Sequence, residues 1–107
     1  MEVREREIEY YDGVEGCPFG DWRDGITDKK LKNAIDARIT RFESGNFGAY
    51  KSAGEGVLES IIDYGPGYRI YFGIHGDAVV LLCAGDKSTQ RRTDIERAKR
   101  LWSEHRK

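Results

Sequence analysis

Cysteine, proline and methionine are scarce in this chain of 107 residues, which contains two, two and one of them. No apolar run approaches the roughly 20 residues that a membrane-spanning helix needs. The start, residues 1–5, alternates charged and apolar side chains and lacks the apolar centre of a signal peptide. Without a secretory signal, Cys17 and Cys83 are expected to be reduced thiols of a cytoplasmic protein. This composition argues against a disulfide-stabilised secreted protein and against a membrane protein.

Metal-binding patterns are also absent from the sequence. The two histidines, His75 and His105, form no ligand cluster with each other or with the cysteines. Cys83 lies within an apolar run and is expected to be a small core residue rather than a nucleophile. We therefore expect no metal site.

Charge is unevenly distributed along the chain, although the formal net charge is only −1. Residues 1–26 contain eight acidic and three basic residues, whereas residues 86–107 contain four acidic and eight basic residues. Such asymmetry can separate an end that faces a polyanion from an end that faces solvent or a partner. The simpler interpretation is that charged helix faces keep the protein in solution, and the charge pattern leaves both open.

Hydrophobic periodicity predicts one α+β domain over residues 1–107, with the order β-α-α-β-β-β-α. A strand is predicted within 2–11, a short helix around Phe19, Trp22 and Ile26, and a longer helix from an N-cap at Thr27 to Gly45. The glycine-rich segment 47–56 is predicted to be irregular. Three strands follow at 57–64, 68–75 and 78–85, with a turn at 76–77, and a last helix starts near Thr93. This order predicts a small antiparallel or mixed sheet with helices packed mainly on one face.

The strand at 68–75 has two chemically different faces. Its even-numbered side chains, from Tyr68 to Ile74, are apolar or aromatic and suit a core beneath helices. Arg69, Tyr71 and His75 lie on the opposite face, which we expect to be open. A long cation is tolerated in a buried hairpin only if it finds a partner or faces a functional surface.

Three cations are expected to converge at this open face. Arg69 lies within the strand, Lys87 follows the last strand, and Lys51 lies in the preceding loop. Such groups hold phosphate oxygens, and an aromatic ring on a sheet stacks an unpaired base. The constellation suits RNA, and Arg91 and Arg92 of the basic last segment are further candidates for RNA contact.

Cleavage of RNA by its own 2′-hydroxyl needs a base, stabilisation of negative charge at phosphorus and a proton for the leaving oxygen. Arg69 and Lys87 are the candidates for charge stabilisation, and Tyr71 and His75 are the candidate proton carriers. Glu59 and Asp63, on the strand before, are possible bases. No metal is required for this chemistry.

Each of these assignments has a structural alternative. Arg69 can form a cross-strand ion pair with Glu59 or Asp63. Tyr71 can be a half-exposed strand residue, and His75 a solvated residue beside a turn. Lys51 and Lys87 can equally be solvated loop residues. The sequence leaves these alternatives open.

Several segments together resemble the addiction-module killer proteins. The segments are Arg-Phe-Glu-Ser-Gly-Asn-Phe-Gly at 41–48, Gly-Pro-Gly-Tyr-Arg-Ile-Tyr-Phe at 65–72, Gly-Asp-Lys-Ser-Thr-Gln at 85–90 and Asp-Ile-Glu-Arg-Ala-Lys at 94–99. These killer proteins belong to the RelE/HigB-like toxin superfamily of bacterial type II toxin–antitoxin systems, and the resemblance spans roughly residues 27–101. The family's strand arginine falls on Arg69 and its basic residue after the final strand falls on Lys87.

The resemblance implies a compact toxin fold and a cytoplasmic endoribonuclease that cuts messenger RNA on the ribosome. It also implies an antitoxin partner, typically of the helix-turn-helix type, and no metal or organic cofactor. Two alternatives stay open. One is a non-nucleolytic toxin that inhibits a protein such as DNA gyrase, which the acidic strand residues Glu59 and Asp63 and the low isoelectric point favour. The other is an inactive, phage-derived binding module.

Overall fold

The computed structural model describes residues 5–86 and 90–106, which form a five-stranded sheet and three helices. The elements, in chain order, are β1 (Glu7–Tyr10), α1 (Pro18–Asp24), α2 (Lys29–Glu43), β2 (Tyr50–Gly54), β3 (Val57–Ile62), β4 (Tyr68–His75), β5 (Ala78–Asp86) and α3 (Arg91–His105). The predicted α+β class is confirmed.

The sheet is mixed, with the strand order β1-β5-β4-β3-β2. Strands β2 to β5 pair antiparallel, whereas β1 pairs parallel with β5. Gly76 and Asp77 join β4 to β5 as predicted, and Gly76 has a φ of 61°, which suits a tight hairpin. The sheet is mixed because β1, the first strand of the chain, pairs in parallel with β5, the last strand.

One strand was missed by sequence reasoning. Residues 50–54, within the segment predicted to be irregular, form β2 and pair with β3. Gly54 and Gly56 have φ values of 99° and 85° and flank Glu55 in a tight turn. The glycines therefore mark a hairpin turn rather than an irregular loop, and the observed order is β-α-α-β-β-β-β-α.

Two helices begin at residues other than those predicted. Asp28, not Thr27, caps α2, because its Oδ1 accepts hydrogen bonds from the backbone N–H groups of Lys30 and Leu31 at 2.9 and 3.2 Å. Helix α3 begins at Arg91, two residues before the predicted cap at Thr93. Its first turn is placed by tertiary contact with the sheet, which local capping patterns do not report.

Helices cover both faces of the sheet, so the prediction of helices mainly on one face is wrong. Helices α1 and α2 bury one face around a cluster formed by Phe19, Leu31, Ile35, Phe42, Ile62, Ile70, Phe72, Val79 and Leu81. Helix α3 buries the other around a cluster formed by Tyr11, Val57, Tyr71, Val80, Leu82, Cys83, Ala98, Leu101 and Trp102. The apolar stripe of α3 needs an apolar surface to pack on, and the sheet face opposite α1 and α2 provides it.

Gly73 shows why α3 can approach the sheet closely. A Cβ at this position would lie 2.6 Å from the Trp102 ring, so only a glycine admits the indole.

Both cysteines are free, and Cys83 is buried in the α3 cluster as predicted. Within the described ranges, none of the helices has the length and apolar character needed to span a bilayer.

Candidate functional site

A small cleft of about 180 Å³ opens where the start of β4, the adjoining parts of β2 and β3, and the first turn of α3 meet. Charged and apolar side chains both line it. The described lining residues are Lys51, Glu59, Ile61, Gly67, Tyr68, Arg69 and Arg91.

The strand register brings the polar side chains of this cleft together. Lys51 of β2 lies opposite Glu59 of β3, and Glu59 lies opposite Tyr71 of β4. Directly paired residues of neighbouring strands project from the same face of a sheet. Arg69 is two positions before Tyr71 and therefore reaches Glu59 diagonally. Arg91 comes from α3, which lies across this face.

Glu59 is the centre of the cluster. Its side chain is 0% exposed, and both carboxylate oxygens accept hydrogen bonds from Arg91. The Arg91 Nη2–Oε1 and Nε–Oε2 distances are 2.8 and 3.0 Å. The Lys51 Nζ and Arg69 Nε atoms each lie 3.8 Å from the same carboxylate. One buried carboxylate thus has three cationic neighbours from three different elements.

The electrostatics of the cluster keep Glu59 ionised. Burial by itself raises the pKa of a carboxyl group. For Glu59, the hydrogen bonds from Arg91, the nearby Tyr71 hydroxyl and the charges of Arg91 and Lys51 outweigh burial and hold its pKa below the ordinary value. Conversely, hydrogen bonding to Glu59 raises the pKa of Arg91. The described lining residues of the cleft therefore carry three positive charges and one negative charge.

Arg69 was predicted to lie on an open sheet face, and this prediction is wrong. Its side chain is only 18% exposed, because α3 closes over this side of the sheet. Nη2 donates a 2.8 Å hydrogen bond to the backbone oxygen of Asp86. Nε is buried and has no hydrogen-bond partner among the described residues. The structural alternative, an ion pair with Glu59 on the neighbouring strand, is confirmed.

Tyr71 is also covered rather than open. Its ring is fully buried in the α3 cluster. Burial, reinforced by the Glu59 carboxylate, raises the pKa of its phenol. The hydroxyl faces Glu59 but falls short of a well-formed hydrogen bond. Tyr71 therefore lies behind Glu59, outside the residues that line the cleft, and the prediction that it lies on an open face of the sheet is wrong.

His75 lies at the other end of β4. It is six residues beyond Arg69, about 20 Å at the rise of an extended strand. It is exposed beside the turn, and its ring meets the His105 ring edge-on at 5.8 Å. The prediction that His75 shares a site with Arg69 is wrong, because the two residues lie near opposite ends of the eight-residue strand β4.

The remaining predicted residues divide between the cleft and the surface. Lys51 and Arg91 line the cleft. Arg92 is 92% exposed and pairs with Glu96 at 3.6 Å, outside the cleft. Asp63 follows β3 and is exposed. Lys87 lies outside the described residues.

The central role of Glu59 had a signal in the sequence. It appeared there only as a possible base or ion-pair partner. An acidic residue in the middle of an apolar strand, opposite cationic strand neighbours, indicates a buried ion-pair centre. The contribution of Arg91 had no local signal, because it depends on where α3 crosses the sheet.

The fold and this cleft define a single α+β unit with an excess of cations around one buried carboxylate. No family model matches the chain. The chain is 46% identical over 87 residues to an uncharacterized protein of Haemophilus influenzae, a match that covers 80% of this chain and 87% of that protein. The chain therefore belongs to the same family as that protein.

Proposed function

We propose that this protein is a cytoplasmic toxin of a type II toxin–antitoxin module, of the RelE/HigB-like class, and that it cuts messenger RNA on the ribosome. A helix-turn-helix antitoxin would be its inhibitor. The proposal is supported by the resemblance of the segments around Arg69 and of residues 85–90. The observation that carries it is the convergence of Lys51, Arg69 and Arg91 around the ionised Glu59 carboxylate.

The cluster contains the groups that metal-independent RNA cleavage requires. Once it is released from Arg91, Glu59 is the base that takes the proton of the ribose 2′-hydroxyl, whose oxygen then bonds to phosphorus. Arg69 and Arg91 stabilise the charge that develops on the phosphate oxygens. As the bond to the 5′-oxygen breaks, Lys51 donates a proton to that oxygen. The products are a 2′,3′-cyclic phosphate and a 5′-hydroxyl end.

Induction in a bacterial host tests this proposal. We expect growth arrest and discrete new 5′ ends in translated messages, mapped by primer extension. Arg69→Ala should relieve the arrest and abolish the new ends while the purified variant remains folded by circular dichroism. Arg92→Ala, which removes an exposed arginine outside the cleft, should remain fully toxic. Full toxicity of a folded Arg69→Ala variant would refute the proposed role.

A second candidate is a toxin that binds and inhibits a protein without cutting RNA. The burial of both Glu59 and Tyr71 favours it, since neither group reaches solvent in this structure. Growth arrest without new 5′ ends, combined with inhibition of gyrase supercoiling by the purified protein, would favour this candidate over the endoribonuclease.

A further inference from the structure

Glu59 cannot act on a ligand in the arrangement that the structure shows. Both of its carboxylate oxygens are held by Arg91, and its side chain is completely buried. Arg91, in contrast, is 44% exposed, so a ligand in the cleft can reach the guanidinium. In the Glu59–Arg91 pair, Arg91 is therefore accessible to a ligand and Glu59 is not.

The cleft also contains an unused donor. The Arg69 Nε–H group is buried and lacks a hydrogen-bond partner among the described residues. A buried polar group without a partner destabilises the folded state, and such groups are uncommon in native proteins. Together with the excess of positive charge, this donor favours a further acceptor that carries negative charge.

We propose that the cleft is an oxyanion site in which Glu59 is the resident counter-ion, and that a phosphate group displaces the Glu59 carboxylate from Arg91. The entering phosphate pairs with the Arg91 guanidinium and accepts from Arg69 Nε–H, while Lys51 provides additional charge. No covalent bond changes in this exchange.

The geometry of the groups favours phosphate over a carboxylate as the incoming ligand. A guanidinium binds two oxygens of a phosphate as readily as two oxygens of a carboxylate. A phosphate has a further oxygen for Arg69 and, as a dianion, carries more charge to balance three cations. The inference rests on the proposed function for its natural ligand, an RNA phosphodiester. A phosphodiester is a monoanion with two unesterified oxygens, so inorganic phosphate, which has the further oxygen and the second charge, is the more sensitive probe of the exchange.

The wild-type protein provides the first test. Inorganic phosphate is added to ¹⁵N-labelled protein, and the arginine Nε–Hε resonances are followed by NMR at constant ionic strength, with acetate and chloride as comparisons. We expect saturable shifts of Arg69 and Arg91 with phosphate, weaker shifts with acetate and none specific to chloride, while Arg92 is unaffected. Unchanged Arg69 and Arg91 resonances, or equal responses to acetate and phosphate, would overturn the proposal.

The second test removes the resident counter-ion. Glu59→Gln keeps the size of the side chain but not its charge, so phosphate no longer has a competitor. We expect calorimetric titration to show phosphate binding about tenfold tighter than in wild type, the size of a typical coupling between two competing groups. Glu55→Gln is the matched control, because Glu55 pairs with Lys99 at 3.2 Å outside the cleft, and its phosphate affinity should equal that of wild type. A folded Glu59→Gln variant with unchanged or weaker affinity would contradict the exchange.

These tests separate the inference from the proposed function. Should Glu59→Gln fail to fold, the wild-type titration decides alone. Phosphate exchange in a protein that produces neither arrest nor cleavage would support the oxyanion site and refute the toxin proposal. Cleavage of RNA by a protein whose Arg69 and Arg91 resonances do not respond to phosphate would support the toxin proposal and refute the oxyanion site. If both hold, Glu59→Gln should bind an oligoribonucleotide more tightly than wild type yet fail to cut it.

Discussion

The two faces of the sheet are closed by different physical means. On the α1–α2 face, aromatic rings fill the space, and Phe72 lies 4.9 and 5.3 Å from the rings of Phe42 and Phe47. On the α3 face, apolar packing between Trp102 and Gly73 extends only part of the way. At the first turn of α3 it gives way to the charged cluster around Glu59. The charged cleft around Glu59 thus lies where the single helix that covers this face begins.

The largest expected effect lies on the aromatic face. Phe72→Ala should lower the free energy of unfolding by about 3–5 kcal/mol, because it leaves a cavity among rings that cannot collapse into it. Urea denaturation measures this. Tyr50→Ala is the control, since Tyr50 is 52% exposed and its loss should cost much less. A Phe72→Ala cost no greater than that of Tyr50→Ala would show that this face is loosely packed.

The next effect tests the packing of the other face. Gly73→Ala should cost about 1–3 kcal/mol, since its methyl group collides with the Trp102 ring and forces α3 outward. Gly25→Ala is the matched control, because a Cβ there lies 3.4 Å from its nearest neighbour. A Trp102→Leu background should reduce the Gly73→Ala cost, as expected for residues in contact. If the unfolding costs of Gly73→Ala and Trp102→Leu simply add, the Gly73–Trp102 contact does not hold α3 against the sheet.

The charged end of the α3 face should respond to pH. The pKa of Glu59 is lowered in the folded state, so its ionised form stabilises the fold above the ordinary pKa of 4.5. That contribution disappears as pH falls through the lowered value. At pH 7 we expect Glu59→Gln to cost about 1.5 kcal/mol, the size of one charge-assisted hydrogen bond. The gap between wild type and variant should close under acidic conditions, and a gap that widens as pH falls would contradict the assignment of Glu59 as ionised.

The smallest effect compares two neighbouring arginines. Arg91→Ala should cost about 1 kcal/mol, the lower end of the cost of a buried acceptor that loses its donor. The cost is small because Arg91 is 44% exposed and Arg69 and Lys51 remain beside the carboxylate. Arg92→Ala should leave the thermal midpoint unchanged, since exposed helix pairs contribute little. Equal midpoints for both variants would mean that Arg91 does not stabilise the cluster.

Local patterns predicted the central strands well. The limits of β3, β4 and β5 and the turn at Gly76 agree closely with prediction, because alternation and turn residues act over neighbouring positions. The apolar face of β4, with Ile70 and Phe72, is buried as expected. The β2 strand was missed because its side chains are mostly exposed and its identity depends on pairing with β3.

The candidate site was predicted less completely. Lys51, Arg69 and Arg91 were singled out and do meet, but as partners of a buried Glu59 rather than as free cations on an open surface. Tyr71 and His75 were predicted on the correct face of the strand. The surroundings predicted for them are wrong, because Tyr71 is buried and His75 packs against His105. Face assignment depends on alternation along one strand, whereas surroundings depend on elements far away in the chain.

The sequence alone determined which residues form the helices and central strands, and which side chains of β4 share a face. Those properties follow from the geometry of a single strand or helix and from its nearest neighbours in the chain. Only the tertiary structure decided that α3 would cover the second face and that Arg91 would close over Glu59. That outcome depends on contacts between residues 32 positions apart, which arise only when the sheet, its register and the crossing helix are assembled together.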